Sequence, residues 1–148
     1  MTPQIHPNMA QEFLNVHWSQ IEMLVKELSQ KIQQMNREFS SISTISRGGL
    51  IPARLVADHL AIDTIFVDKN KIPADSLFVD DIYDSGSTFK KIVTKAKDPS
   101  MLVYATLFAR FGKKYPKQLL FAQKTQGSEY IVYPWEKLEF QRFKKYGT

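Results

Sequence analysis

The stretch from residue 77 to 88, LFVDDIYDSGST, constrains the fold more than any other part of the chain. Leu77, Phe78 and Val79 make an apolar run suited to a buried strand. Asp80 and Asp81 close that run, Asp84 follows, and Ser85-Gly86-Ser87-Thr88 leads into Phe89-Lys90-Lys91-Ile92-Val93. The order is a strand, a tight acidic turn and a helix start. Adjacent like charges at a strand end repel, so fold stability gives little reason to keep them. A helix start has unpaired first-turn N–H groups and the positive end of the helix dipole, which makes residues 85–88 a phosphate cradle. Carboxylates beside such a cradle suit sugar hydroxyls or a Mg²⁺ ion, so the stretch reads as a site for a phosphorylated ribose. An acidic turn with a helix cap is the bland alternative. The Gly-Lys-Ser/Thr ending of a Walker loop and the glycine spacing of a dinucleotide fingerprint are both absent.

The rest of the chain supplies the frame. Residues 1–15 read as an irregular arm. Trp18, Ile21, Leu24, Val25, Leu28, Ile32 and Met35 recur at the three-and-four spacing of an amphipathic helix. Residues 41–46 alternate with period two and predict a strand. Arg47-Gly48-Gly49 is a tight turn, and residues 50–60 predict a helix with Pro52 tolerated in its first turn. The buried stripe of that helix is expected on Leu50, Ile51, Leu55, Val56 and Leu60. A strand over 62–67, a short polar connection over 68–75, a strand over 77–81 and a helix over 87–96 follow. Residues 101–108 are continuously apolar and read as a strand covered on both faces. Beyond Arg110 comes a basic loop, then strand candidates at 119–122 and 130–133, and a tail mixing bases with aromatics.

Strands alternating with helices predict a three-layer α/β fold around a mostly parallel sheet. In such sheets ligands sit beyond the carboxyl ends of the strands. Arg47-Gly48-Gly49, residues 80–88 and Arg110 each follow a predicted strand, so three loops are expected to converge on one crevice.

A chain of 148 residues fits one domain, here taken as 1–148. The absence of cysteine excludes disulfides, thiolate metal sites and thiol nucleophiles, and fits a cytoplasmic location. No apolar run approaches the ~20 residues that span a membrane, and the first residues lack the layout of a secretory signal. Membrane partners are therefore not expected. The net charge of +5 suits a surface that attracts anionic small molecules, and polyphosphate substrates account for it as well as nucleic acid does. Lys113, Lys114 and Lys117 around Tyr115 read by default as a solvated basic loop rather than an RNA contact. His6, His17 and His59 match no metal-ligand spacing.

Residues 79–88, VDDIYDSGST, resemble the signature of the type I phosphoribosyltransferases, which bind 5-phosphoribosyl-1-pyrophosphate. A second match narrows the resemblance. Residues 45–52, ISRGGLIP, are similar to the pyrophosphate loop of the bacterial xanthine-guanine (6-oxopurine) enzymes. A weaker third match is residues 130–136, YIVYPWE, which resemble their base-binding segment.

The resemblance implies a phosphoribosyltransferase-like fold with a small base-binding hood and tail over about 111–148. It implies transfer of the 5-phosphoribosyl group to guanine, xanthine or hypoxanthine in purine salvage, with Mg²⁺ as cofactor and a homodimer or homotetramer as the assembly. Asp84 would be catalytic, facing N7 of the purine. Asp80 and Asp81 would address the ribose hydroxyls, and Ser85, Gly86, Ser87 and Thr88 would hold the 5′-phosphate. Arg47 and Gly48 would bind pyrophosphate, while Arg110, Tyr130 and Ile131 would bind the base. Asp80, Asp81 and Glu136 would serve the metal, partly through substrate and water.

Two positions depart from the pattern. Arg110 stands where the family usually has lysine. Residues 68–75 stand where it has a long mobile loop that closes over the substrates. The short connection leaves a second reading open: a non-catalytic or weakly catalytic regulatory module that binds nucleotide or phosphoribosyl pyrophosphate. Lys69 and Lys71 within it read first as surface lysines.

Overall fold

The structure is a computed structural model, and it describes residues 11–146. The chain opens with β1 (Phe13–Asn15) and α1 (Trp18–Gln33). It continues through β2 (Ser41–Thr44), α2 (Leu50–Leu60), β3 (Ile65–Val67) and β4 (Ser76–Tyr83), then α3 (Ser87–Lys95) and β5 (Val103–Ala109). It ends with β6 (Leu119–Lys124), β7 (Tyr130–Val132) and α4 (Lys137–Tyr146). Five of the strands form the central sheet in the order β3-β2-β4-β5-β6, and every pairing in it is parallel. The α/β fold with a parallel sheet is as the sequence predicts.

The sheet separates two apolar layers. On one face α1 contributes Ile21, Leu24, Val25, Leu28 and Ile32, and α2 contributes Ala53, Val56 and Ala57. They pack on Ile42, Leu77, Val79, Ala105 and Leu107. On the other face Ile92 of α3 packs with Phe78, Tyr104, Ile72 and Leu102. The buried stripe of α2 differs from expectation: Pro52, Ala53, Val56 and Ala57 are buried, while Leu50 is 39% exposed. Small side chains let the helix lie close to the strands, and the larger ones flank the contact. Trp18 is likewise half exposed, with its ring 5.9 Å from that of Trp135.

The chain leaves β2 toward β3 on one side, and β4 then pairs on the other side of β2. The order of the sheet therefore reverses between β2 and β4. In open parallel sheets that reversal opens a crevice at the carboxyl ends of the strands. The switch point here falls between β2, followed by residues 45–49, and β4, followed by residues 84–88.

Several boundaries depart from the sequence reading. The strand expected over 62–67 begins only at Ile65. Ala61 closes α2 with φ +56°, and the Ile62 N–H donates to the Ala57 carbonyl, so Ile62 serves the helix end instead of the sheet. The strand expected to stop at Asp81 runs on to Tyr83, because Ile82 and Tyr83 find partners in Phe108 and Ala109.

Residues 13–15 of the expected irregular arm form β1, which pairs in parallel with β7. Residues 1–10 of that arm, with His6, lie outside the described residues, as do residues 147–148. The hood is smaller than the expected span of 111–148. β6 belongs to the central sheet, and β1, β7 and α4 form the separate small unit.

Candidate active site

The loop after β2 is built by close approach. Thr44 donates its hydroxyl to the Val79 carbonyl at 2.6 Å, locking β2 to β4 just before the loop. A Cβ on Gly49 would lie 2.0 Å from Thr44 Oγ1 and 2.9 Å from Val79 O, so only glycine lets the chain turn over this lock into α2. The Ser46–Arg47 peptide is cis. Arg47 extends outward with its side chain 70% exposed, and its Nη2 lies 3.4 Å from Glu139 Oε2 on α4.

At the end of β4 the acids do not line up as expected. Asp80 has no solvent exposure. Its Oδ1 accepts from the Asp81 N–H at 2.8 Å and its Oδ2 from the Tyr104 hydroxyl at 2.9 Å. Asp81 is also buried and accepts from the Ile82 N–H at 2.8 Å, while its carbonyl accepts from the Tyr133 hydroxyl at 2.9 Å. The two carboxyls interact with each other. Burial raises the affinity of both for a proton, and repulsion from Asp80 raises Asp81 further. Two buried carboxyls in contact hold a shared proton more readily than two charges.

Asp84 sits where the chain leaves the sheet. Its Oδ1 accepts from Arg110 Nε at 3.0 Å and its Oδ2 from Arg110 Nη2 at 3.4 Å. Arg110 Nη1 donates to the carbonyls of Gly127 and Glu129, at 3.1 and 2.8 Å. One guanidinium thus joins the acidic turn to the loop that presents Tyr130. Beyond Asp84, Gly86 takes φ +87° and begins α3 without a capping side chain of its own, and the Ser87 N–H in the first turn donates to Ser85 Oγ at 3.3 Å. A Cβ at Gly86 would lie 2.7 Å from the Tyr83 hydroxyl. Ser85 donates to Ser87 Oγ at 3.1 Å, and Thr88 is buried.

The third wall is the small unit. Tyr130 packs between Phe13 and Phe140, with ring centroids 6.2 and 6.3 Å away, the Phe140 ring near parallel at 18°. Burial pushes the Tyr130 hydroxyl up to about 12, helped by the charges of Glu136, Glu139, Asp81 and Asp84. Ile131 is buried and in register with Leu14.

Glu136 is raised to about 7 by burial and by Glu139, and its charge acts on Asp81. Asp81 and Glu136 are thus carboxyls within electrostatic reach of each other, and carboxylate oxygens are the donors that a hard divalent cation takes. Among the described residues, no group of three or more His, Cys, Asp or Glu side chains is arranged to hold a metal. Asp80, expected in the metal set, is turned to Tyr104 and the Asp81 amide instead.

Sequence reasoning missed four contributors to this site. Asp68 bonds Ser46, Tyr104 bonds Asp80, Tyr133 bonds Asp81, and Glu139 reaches Arg47. Tyr104 lies in a run read only as apolar strand, and Tyr133 in a strand candidate where no role was given to its hydroxyl. Their hydroxyls were the available signal, since a buried tyrosine needs a hydrogen-bond partner.

The five-stranded parallel sheet, with its acidic strand end at the crevice, has the fold of the type I phosphoribosyltransferases. A xanthine-guanine phosphoribosyltransferase of Chromohalobacter salexigens is 28% identical over 141 residues, covering 82% of this chain and 82% of that protein. A solved xanthine-guanine-hypoxanthine phosphoribosyltransferase of Helicobacter pylori matches with a TM-score of 0.68 at 18% identity, covering 91% of this chain and 100% of that one. A hypothetical protein of Neisseria gonorrhoeae, solved with bound ppGpp, matches with a TM-score of 0.69 at 18% identity, covering 93% and 97%. The two structural matches speak to the fold. No family model matches the chain. The resemblance read from the sequence is borne out by the named relatives and by this architecture.

Proposed function

We propose that this protein is a purine phosphoribosyltransferase of purine salvage. It transfers the 5-phosphoribosyl group of 5-phosphoribosyl-1-pyrophosphate to a 6-oxopurine and releases pyrophosphate. The observation that carries the reading is the pairing of the Arg47 loop with the acidic β4 end across the switch point of the sheet. The named relatives favour the enzyme over a purely regulatory binding module.

The residues divide the work as follows. The N–H groups of the first turn of α3, with the hydroxyls of Ser85, Ser87 and Thr88, hold the 5′-phosphate. Arg47 and the Gly48 amide take the pyrophosphate. Tyr130 stacks on the base and the Ile131 backbone meets its edge. Asp81 and Asp80 act as a hydrogen-bonded unit: Asp81 meets the ribose hydroxyls, and Asp80 sets its orientation and proton. A purine nitrogen bonds to ribose C1′ as the bond from C1′ to the pyrophosphate oxygen breaks. The electron pair leaves with pyrophosphate, and the ring proton at N7 passes to an Asp84 carboxylate oxygen. Arg110 holds Asp84 for that transfer and shapes the base loop.

Mg²⁺ bound at Asp81 and Glu136 would offset the negative charge of the leaving group. The protein acts in the cytoplasm as a single domain, as a homodimer or homotetramer, without nucleic acid or membrane. Among the described residues, no helix is long and apolar enough to cross a membrane.

The test is pyrophosphate release from the ribosyl donor with guanine, xanthine, hypoxanthine and adenine in turn. Release dependent on a 6-oxopurine is expected. Tight nucleotide binding without base-dependent release would sink the enzyme reading.

A further inference from the structure

Residues 68–75, which join β3 to β4, are fastened at both ends. Asp68 leaves β3 with φ +55°, a backbone state that side chains other than Asn and Asp adopt at a cost. Its N–H donates to the Thr44 carbonyl at 3.0 Å, carrying the β2–β3 pairing past the end of the strand. Its carboxylate takes two bonds from one residue, the Ser46 N–H at 2.8 Å and the Ser46 hydroxyl.

Further on, Ile72 is 2% exposed and sits in the apolar layer under α3. Its N–H donates to the Lys95 carbonyl at 2.9 Å, and its carbonyl accepts from the Lys97 N–H at 3.0 Å. The Ala74 carbonyl accepts from Arg37 Nη2 at 2.7 Å, and the Asp75 carbonyl accepts from the Ser40 N–H at 2.9 Å. Among the described residues, these four fastenings leave only residues 69–71 between them without a bond to the body of the protein.

We propose that residues 68–75 are a fixed brace for the loop after β2, and that Asp68 is its positioning residue. By holding both donors of Ser46, Asp68 sets the direction in which the next residue, Arg47, meets pyrophosphate. The inference rests on the proposed function and deepens it.

Asp68 does not itself meet the substrate. Its charge would repel pyrophosphate, and both oxygens already face Ser46. Those two bonds hold its carboxyl below the usual aspartate value, so the clamp stays ionised at working pH. A carboxylate beside an anion site is favourable only where its charge is already engaged, and here Ser46 engages it. The order of contacts is then Asp68 to Ser46, Ser46 to Arg47, and Arg47 to the leaving group.

The test is calorimetric titration of inorganic pyrophosphate with Mg²⁺ into the full chain, with KM measured separately for the ribosyl donor and the base. Asp68→Ala is expected to weaken pyrophosphate binding about tenfold and to raise donor KM in step, as loss of an outer-shell partner commonly does. Base KM is expected to stay within about twofold of the wild type. Asp68→Asn can still accept from the Ser46 N–H and tolerates the left-handed backbone, so it should recover most of the affinity. Ser46→Ala removes one of the two bonds without altering the Asp68 backbone, and should fall between. It serves as the reading if Asp68→Ala does not fold. Unchanged pyrophosphate affinity in the folded variants, or an equal loss for base and donor, would overturn the brace. Wild-type protein that binds no pyrophosphate would instead overturn the proposed function.

Discussion

Arg110 grips Asp84 with two nitrogens, Nε to Oδ1 at 3.0 Å and Nη2 to Oδ2 at 3.4 Å, while Nη1 holds two carbonyls of the loop before Tyr130. Arginine at this position is therefore more than a substitute for a lysine donor. The planar fork serves two elements at once, which a lysine ammonium on one flexible stem cannot do in the same geometry. Arg110→Lys is expected to loosen residues 126–130. Hydrogen bonds to charged groups contribute about 1.5–3 kcal/mol each, discounted here because Asp84 is partly exposed. A fall in thermal midpoint of about 2–6 °C with a changed order of KM values across the base panel would agree. An unchanged base order would mean that Arg110 only supports the fold.

Asp84→Asn keeps the shape of the side chain and one acceptor for Arg110 while removing the proton acceptor. Nucleotide binding should persist within a few-fold. Turnover should fall by about 10²–10⁴-fold, the usual contribution of a positioned base. Steady-state rates alongside calorimetric nucleotide titration separate the two effects. Unchanged turnover would remove Asp84 from the proton transfer.

Gly49→Ala places a methyl group 2.0 Å from Thr44 Oγ1 and 2.9 Å from a main-chain carbonyl. The neighbours are a hydrogen-bonded hydroxyl and backbone, so neither yields cheaply. Overpacking of this kind costs about 1–3 kcal/mol. Urea unfolding should show a lowered midpoint at an unchanged slope. A double variant with Thr44→Val should recover little, because the new methyl group takes the place of the lost hydroxyl and the Val79 carbonyl loses its donor.

Glu136 gives a pH signature. Its folded-state value is about 7 against the ordinary glutamate value of 4.5. The folded chain therefore binds a proton in this window that the unfolded chain has released. Stability from this group is full below about pH 4.5 and is lost as pH rises toward about 7. Thermal midpoints measured from pH 4.5 to 8 should fall through that window, and Glu136→Gln should flatten the fall. Midpoints of the variant that track the wild type at every pH would assign the slope to Asp80 and Asp81.

Glu139 offers Arg47 a carboxylate where the proposed substrate offers pyrophosphate. The pair is 3.4 Å apart with side chains 70% and 39% exposed, so its contribution to stability is about 0–1 kcal/mol. Glu139→Gln should leave the thermal midpoint within about 2 °C while tightening pyrophosphate binding about two- to fivefold. Weakened binding would show instead that α4 orients Arg47.

The legible part of this protein was the part written in short-range pattern. The stripe of Ile21, Leu24, Val25, Leu28 and Ile32 on α1 and the apolar run of β5 follow from periodicity and local composition, because burial of one face or of both imposes those patterns. Residues 79–88 and 45–52 were legible as strand, turn and helix start because tight turns that follow a strand admit few residue types. The tail was not legible: α4 carries aromatics and bases on several faces, and only its docking on Phe13 and Tyr130 makes it a wall of the site. β1 was not legible either, since three residues pair only because β7, more than a hundred residues later, lies beside them.

What the sequence by itself determined is the chemistry on offer at the end of β4: carboxylates, a glycine turn and a helix start rich in hydroxyls in one short run. Which carboxylate faces which partner was decided by the tertiary structure. Asp80 and Asp81 are equal in sequence, but Tyr104 arrives from β5 to take one and Glu136 approaches the other. Asp84 is joined to Arg110 across 26 residues, and Ser46 to Asp68 across 22. The physical reason is the same in each case. A buried or crowded polar group must find a partner, and in a parallel sheet that partner comes from a neighbouring strand that is distant in the chain.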